Sequence, residues 1–284
     1  MMDQAESLRK LVSQKKKIKR SRVITITGGK GGIGKTCISV NLSLGLKKLG
    51  YNVTIIDADL GFSNVEIELG VTSKYTLLDV LYNNKMITEV ISEGPLGIKY
   101  ISSGGDFNLI NEGVDLSLFL NNIKILDYYS DFIIIDTGAG LNNVISNFLK
   151  AADEVLLIVT PEPTSIMDAY TLIKYSLVGE DKKINVLINK VKNFNEYKKI
   201  YERFEAVVKN YLGVSLIDLG YLENDEKMME CIIEQNPIVL KYENSKTSKR
   251  ILQIAAQIAN QSPPIENKGL WGIFSRLINR GGFR

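Results

Sequence analysis

A β-branched apolar run, Val23-Ile24-Thr25-Ile26-Thr27, passes through Gly28 into Gly29-Lys30-Gly31-Gly32-Ile33-Gly34-Lys35-Thr36, and a helix-compatible stretch, Thr36–Leu49, follows at once. This is G-x-x-x-x-G-K-[ST] in the context that gives the pattern its meaning: strand, glycine loop, helix. Glycines let successive backbone N–H groups curl around phosphate oxygens, and the helix N-terminus adds partial positive charge at the same place. Lys35 is expected to reach the β- and γ-phosphates, and the Thr36 hydroxyl to ligate Mg²⁺. The expected nucleotide-binding residues of the loop are therefore Gly29, Lys30, Gly31, Gly32, Ile33, Gly34, Lys35, Thr36 and Cys37.

The surrounding chain reads as repeated βα units. Strand-like runs fall at Val23–Thr27, Val53–Asp57, Lys99–Ser102, Phe132–Asp136, Val155–Thr160, Asn185–Asn189 and Val214–Leu219, with helical patterns such as Asn142–Ala152 and Glu196–Tyr211 between them. Phe132-Ile133-Ile134-Ile135 is apolar on both faces, as a buried parallel strand must be. The predicted fold is α/β, a doubly wound and mostly parallel sheet of the P-loop NTPase kind, with ligands at the carboxyl ends of its strands. A single domain over residues 22–261 is expected, preceded by a polar, basic segment (1–21) and followed, after Pro263 and Pro264, by a linker and a last apolar-basic segment (262–284).

Composition narrows the chemistry. Histidine is absent from all 284 residues, so His-based triads and histidine metal sites are excluded, leaving Lys, Asp, Thr and backbone amides. Cys37 and Cys231 stand far apart in no metal-binding spacing, which fits a reducing cytosol. The formal charge of +3 provides no global field toward nucleic acid. Lys15, Lys16, Lys17, Lys19, Arg20 and Arg22 nevertheless form a run without an acid, readable as a solvated linker or as a surface for anionic lipid, nucleic acid or an acidic partner. The charged N-terminus has no apolar stretch of the secretory kind, and no apolar run is long enough to span a bilayer.

With Lys30 included, Lys30-Gly31-Gly32-Ile33-Gly34-Lys35-Thr36 resembles the deviant Walker A motif of the MinD/ParA/Mrp/nitrogenase-iron-protein family. The resemblance implies that Lys30 crosses a face-to-face dimer and acts in trans, stabilising charge on the transferring phosphoryl. It makes Ile55-Ile56-Asp57-Ala58-Asp59 a switch I segment, with Asp57 near the Mg²⁺ shell and Asp59 positioning or polarising the attacking water. It makes Asp136-Thr137-Gly138-Ala139-Gly140 a Walker B aspartate with its switch II segment. The catalytic set so implied is Lys30, Lys35 and Asp59, and the metal set Thr36, Asp57 and Asp136. Asn189-Lys190-Val191-Lys192 partly resembles the guanine motif N-K-x-D, but Lys192 replaces the guanine-pairing Asp. By family resemblance Asn189 contacts adenine, so ATP with Mg²⁺ is expected over GTP.

The two ends sharpen the resemblance. Asp3-Gln4-Ala5-Glu6-Ser7-Leu8-Arg9 matches the D-Q-A-x-x-L-R segment of the FlhG (FleN, YlxH) family, which controls bacterial flagellar number and placement. The resemblance implies that Asp3, Gln4, Leu8 and Arg9 dock on an FlhF-like SRP GTPase and stimulate it, and that flagellar C-ring proteins are further partners. At the far end Leu270, Trp271, Ile273, Phe274, Leu277 and Ile278 cover an arc of roughly 160° at helical spacing. Arginines lie opposite or at the edge, which suits the headgroup boundary of an anionic membrane. The same face could instead dock on the chain's own domain, released when a dimer forms.

These features add up to an expected ATP-dependent homodimer, cytoplasmic and reversibly peripheral on the inner face of the membrane. The alternatives are a MinD-type division-site regulator and a ParA-type DNA-partitioning ATPase. DNA binding is the less expected outcome, because the terminal amphipathic segment does not fit it. An electron-transferring iron protein would need paired cysteines, which the chain lacks.

Overall fold

The computed structural model describes residues 20–59, 64–83, 85–102, 104 and 126–261. Asp3, Gln4, Leu8, Arg9, the basic run as far as Lys19, and Leu270, Trp271, Ile273, Phe274, Leu277 and Ile278 lie outside the described residues.

Along the chain run β1 (Arg22–Thr27), α1 (Lys35–Lys48), β2 (Val53–Ala58), α2 (Asn64–Leu69), α3 (Leu77–Tyr82), α4 (Ile87–Val90), β3 (Ser92–Glu93), β4 (Lys99–Ile101), α5 (Leu126–Tyr129) and β5 (Phe132–Thr137). Then follow α6 (Asn143–Ala151), β6 (Glu154–Val159), α7 (Pro163–Ser176), β7 (Lys183–Val191), α8 (Phe194–Leu212), β8 (Ile217–Glu223), α9 (Glu226–Ile233), α10 (Ile238–Lys241) and α11 (Lys246–Asn260). The strands form one sheet in the order β3-β4-β2-β5-β1-β6-β7-β8. Among the described residues every pairing is parallel except that of β3 with β4.

Alternation along the strands builds a core on each face of the sheet, because successive side chains point to opposite sides. In β6, Leu156 and Ile158 join Ile38, Leu42, Ile251 and Ile254 beneath α1 and α11. Val155, Leu157 and Val159 join Ile145, Leu172, Ile173 and Phe204 beneath α6, α7 and α8. Helices on both faces are what the doubly apolar strands require. The order reverses around β1, since the route through α1 leads away toward β2 and the route through α6 leads to β6 on the other side. A crevice therefore opens at the carboxyl ends of the central strands, where the glycine loop lies.

Two departures from the sequence reading are local. Strand β8 runs Ile217–Glu223 where Val214–Leu219 is expected: Gly213 (φ 66) closes α8 in the left-handed conformation, and the strand continues through Gly220 (φ 88). The register with β7 shifts there, and glycine makes such an irregularity inexpensive. The two-residue β3 has too little pattern to be read at all.

At the opposite end of the sheet from the glycine loop, Arg22 ties three elements together. Its Nε and Nη2 bond Glu154 Oε1 at 2.9 and 2.5 Å, and its Nη1 bonds the Ile258 and Gln261 carbonyls at 2.9 and 3.3 Å. Glu154 is fully buried. Removing one partner of such a pair strands the other charge in the interior, so Glu154→Ala should cost about 3–5 kcal/mol. Urea unfolding checks this: the midpoint falls while the slope stays as in the parent.

Candidate functional site

The glycine loop is shaped by close approach. A Cβ at Gly29 would stand 2.8 Å from the Asp168 backbone at α7, so no side chain fits between loop and helix. Gly34 sits at φ 92, in the left-handed region, as the residue that starts α1, and a Cβ there would meet Asn189 Nδ2 at 2.6 Å. Lys35 and Thr36 then open α1, whose first turn carries no acidic residue to compete for its free N–H groups.

Parallel register brings the carboxylates to the same place. Asp57 and Asp136 are direct partners at the ends of β2 and β5, and both are fully buried. Asp136 Oδ1 accepts from Ser39 Oγ at 2.6 Å, while its Oδ2 is buried without a bond of good geometry. Burial raises Asp136 to about 6, against the opposing pull of the Ser39 and Thr36 hydroxyls and of the Lys35 charge. Asp57 accepts from the backbone N–H groups of Asp59 (3.1 Å) and Val65 (3.2 Å). Burial and then the Asp136 charge push it up to about 8. Asp59 Oδ2 accepts from Asn64 Nδ2 at 2.7 Å, and its Oδ1 would stand 2.4 Å from a Cβ at Gly138, so the two switch segments lie against each other.

Lys35 is the cation inside this group. It is buried, its Nζ reaches the Lys30 carbonyl at 3.3 Å, and desolvation lowers its pKa against the attraction of Asp136 and Asp59. Lys30, at the rim, is half exposed and forms an ion pair with Glu162, with Thr164 Oγ1 at 3.4 Å. That hydrogen bond and charge hold the Glu162 carboxyl below its ordinary range.

The Cys37 thiol turns away from the loop. It is buried beside Asn41 and Glu68, and desolvation raises its pKa well above the usual thiol value. What Cys37 can offer a phosphate is its backbone N–H. Asn189 is also engaged within the chain: its amide donates to the Ile33 carbonyl at 2.8 Å and its oxygen accepts from Lys190 N at 2.9 Å. Ser39, Glu68 and Glu162 belong to the site without having been singled out from sequence, whereas Lys190 stands in the Asn189–Lys192 segment that resembles N-K-x-D. Ser39 is one helical turn beyond Lys35, and that spacing is the available clue; Glu68 and Glu162 come from distant segments and leave none.

The donor set fits a divalent cation held with phosphates. Crowded, buried carboxylates whose charged forms are disfavoured, with an orphaned oxygen on Asp136, are donors that Mg²⁺ would stabilise in the ionised state. Among the described residues no three Asp, Glu or Cys side chains are grouped to hold a metal by themselves. Magnesium in nucleotide sites takes one or two protein oxygens and completes its shell with phosphate and water.

Comparison with known proteins agrees with this geometry. The family described as an AAA domain matches residues 21–187. The antiactivator FleN of Pseudomonas aeruginosa is 33% identical over 90% of this chain and 93% of its own length. The flagellum site-determining protein YlxH of Helicobacter pylori is 32% identical over 91% of this chain and 90% of its own. The septum site-determining protein MinD of Pyrococcus horikoshii, solved in complex with Mg-ADP, superposes with a TM-score of 0.67 at 26% identity, covering 84% of this chain and 96% of that one.

The raised carboxylates set a pH dependence. Asp57 (about 8), Glu68 (about 7) and Asp136 (about 6) all titrate above their unfolded values, so the folded state holds protons that the unfolded chain releases. Their ionisation penalty is absent below the unfolded pKa and grows as pH rises through the folded values, so stability of the nucleotide-free protein should fall from about pH 4 to about pH 8. Asp57→Asn, which removes the highest of the three, should flatten that slope in urea midpoints measured across the range.

Proposed function

Because the chain belongs to the FleN/YlxH family of MinD/ParA-type P-loop ATPases, we propose that it is an ATP-driven switch that dimerises on ATP and regulates flagellar number and placement. The observation that carries this reading is the gathering of Lys35, Asp57, Asp59 and Asp136 at the start of α1, with Lys30 on the rim above them. The backbone N–H groups from Gly31 to Cys37 hold the phosphates, and Lys35 neutralises their charge. Thr36, Asp57 and Asp136 would hold Mg²⁺, which supplies Lewis-acid neutralisation of phosphate charge when bound. Asp59, beside switch II at Gly138, orients the attacking water. Lys30 leaves Glu162 to meet the nucleotide of a second copy, adding positive charge where the transferring phosphoryl needs it. Asn189 lines the base side of the loop.

The terminal segments supply the output. Asp3, Gln4, Leu8 and Arg9 engage an FlhF-like GTPase, and Leu270, Trp271, Ile273, Phe274, Leu277 and Ile278 bind anionic lipid from the cytoplasmic side. No described helix is long and apolar enough to cross a membrane, so attachment would be peripheral. An apolar groove of about 770 Å³ between α7 and α8, lined by Ile166, Met167, Tyr170, Phe204, Val207 and Tyr211, supports a resting seat for the terminal segment on its own domain. C-ring proteins complete the partner set by family resemblance. The likeness to MinD of Pyrococcus horikoshii supports a second reading, a division-site regulator using the same switch. A pull-down with an FlhF-like GTPase, with and without residues 1–21, separates the two.

Asp59→Ala should give an ATP-bound dimer that co-sediments with anionic vesicles and does not release. Gel filtration with ATP showing only monomer would count against the dimer switch. Lys35→Ala should weaken ATP binding by about 10- to 100-fold, read by titration calorimetry. A chain ending at Asn267 should keep the dimer and lose the vesicles.

A further inference from the structure

Strand β7 ends by turning back on the phosphate loop. Asn189 Nδ2 donates to the Ile33 carbonyl at 2.8 Å, and Lys190 Nζ donates to the Gly32 carbonyl at 2.7 Å. Two consecutive peptide groups of the loop are therefore gripped by their oxygens from the same side. A trans peptide plane points its C=O and its N–H in opposite directions. The N–H that shares a plane with the Gly32 carbonyl belongs to Ile33, and the one that shares a plane with the Ile33 carbonyl belongs to Gly34. Drawing both oxygens toward β7 turns both N–H groups away from it, into the hollow of the loop where phosphate oxygens would lie.

Lys190 reaches this position by an uncommon backbone route. Its φ is 61, in the left-handed region that a residue with a long side chain seldom adopts. The Lys190 N–H bonds Asn189 Oδ1 at 2.9 Å, and the β7–β8 register slips between Ile188 and Val191, so the ladder itself bends to aim this side chain. Strained conformations of this kind persist where surrounding contacts over-determine them, and they gather at ligand clamps.

We infer that Lys190, working with Asn189, is a positioning residue that presets the phosphate hollow, so that the end of β7 serves nucleotide binding through loop geometry felt by the phosphates. The inference rests on the ATPase reading and adds to it a residue that acts through the Gly32 carbonyl, orienting loop N–H groups toward the phosphates. It also distinguishes two uses of β7: a base-reading side chain would change affinity only for ligands that carry a base, whereas a strap on the loop changes affinity for any ligand that carries a diphosphate.

The test uses the full chain and titration calorimetry with Mg-ADP and with Mg-pyrophosphate, together with amide hydrogen exchange at Ile33 and Gly34. Lys190→Ala should weaken ADP and pyrophosphate by a similar factor, about 10-fold for the loss of one charge-assisted hydrogen bond, and should speed exchange at both amides. Lys190→Arg should recover most of the affinity. Lys190→Gly, which adopts the left-handed backbone freely but has no ammonium, should behave as Lys190→Ala, separating the strap from the turn. Melting without ligand serves as the control for folding. An Ala variant that binds ADP as the parent does, or that loses ADP while keeping pyrophosphate, overturns the inference while the ATPase reading stands. A parent chain that binds neither ligand removes both.

Discussion

Two buried carboxylates, Asp57 and Asp136, face each other in register at the ends of neighbouring parallel strands. Like charges placed so closely away from water are unfavourable, and the pair meets that cost with raised pKa values, the Ser39 and Thr36 hydroxyls, two backbone N–H donors and the adjacent Lys35. Such a cluster is poor evidence of stabilisation, because an apolar pair would pack more favourably there. Its cost is consistent with the proposed use of the cluster as a receptacle for cation and phosphate. The rest of the sheet serves to hold β1, β2 and β5 in the register that produces it.

The second layer of the site is the rim, where charged side chains are arranged in opposition. Lys30 pairs with Glu162 at the start of α7, while Lys190 crosses from β7 to the loop carbonyl of Gly32. Lys190 also lies near enough to Glu162 to help hold that carboxyl low. An exposed ion pair of the Lys30–Glu162 kind contributes little to folding. It is therefore readily exchanged for a stronger contact, which suits a side chain whose proposed task begins only when a second copy arrives. The buried Lys35 has no such freedom, and the difference in burial between the two lysines matches the two tasks proposed for them, binding for Lys35 and switching for Lys30.

Legibility from sequence followed the range of the interactions. The loop from Gly29 to Thr36, the apolar strands and the helix after the loop are governed by neighbours within a few residues, and their reading agrees with the observed elements. Strand β8 was displaced because Gly220 reads as a stop in a pattern but is tolerated as an irregularity once β7 lies alongside. Cys37 counts as part of the loop in sequence, yet helical rotation turns its thiol toward Asn41 and Glu68. Asn189 looks like a base contact in sequence, and within the chain its amide donates to the Ile33 carbonyl while its oxygen accepts from the Lys190 N–H.

By itself the sequence determined that a P-loop follows a central strand, that histidine chemistry is excluded, and that the fold is a mostly parallel α/β sheet; each of these depends on short-range spacing or on composition. Only the tertiary structure decided which carboxylates share a charge environment, which lysine is buried and which is paired at the rim, and that the end of β7 grips the loop. Those facts depend on residues up to 158 positions apart, as Gly32 and Lys190 are. No local pattern records the register that brings them together, because register is a property of the assembled sheet.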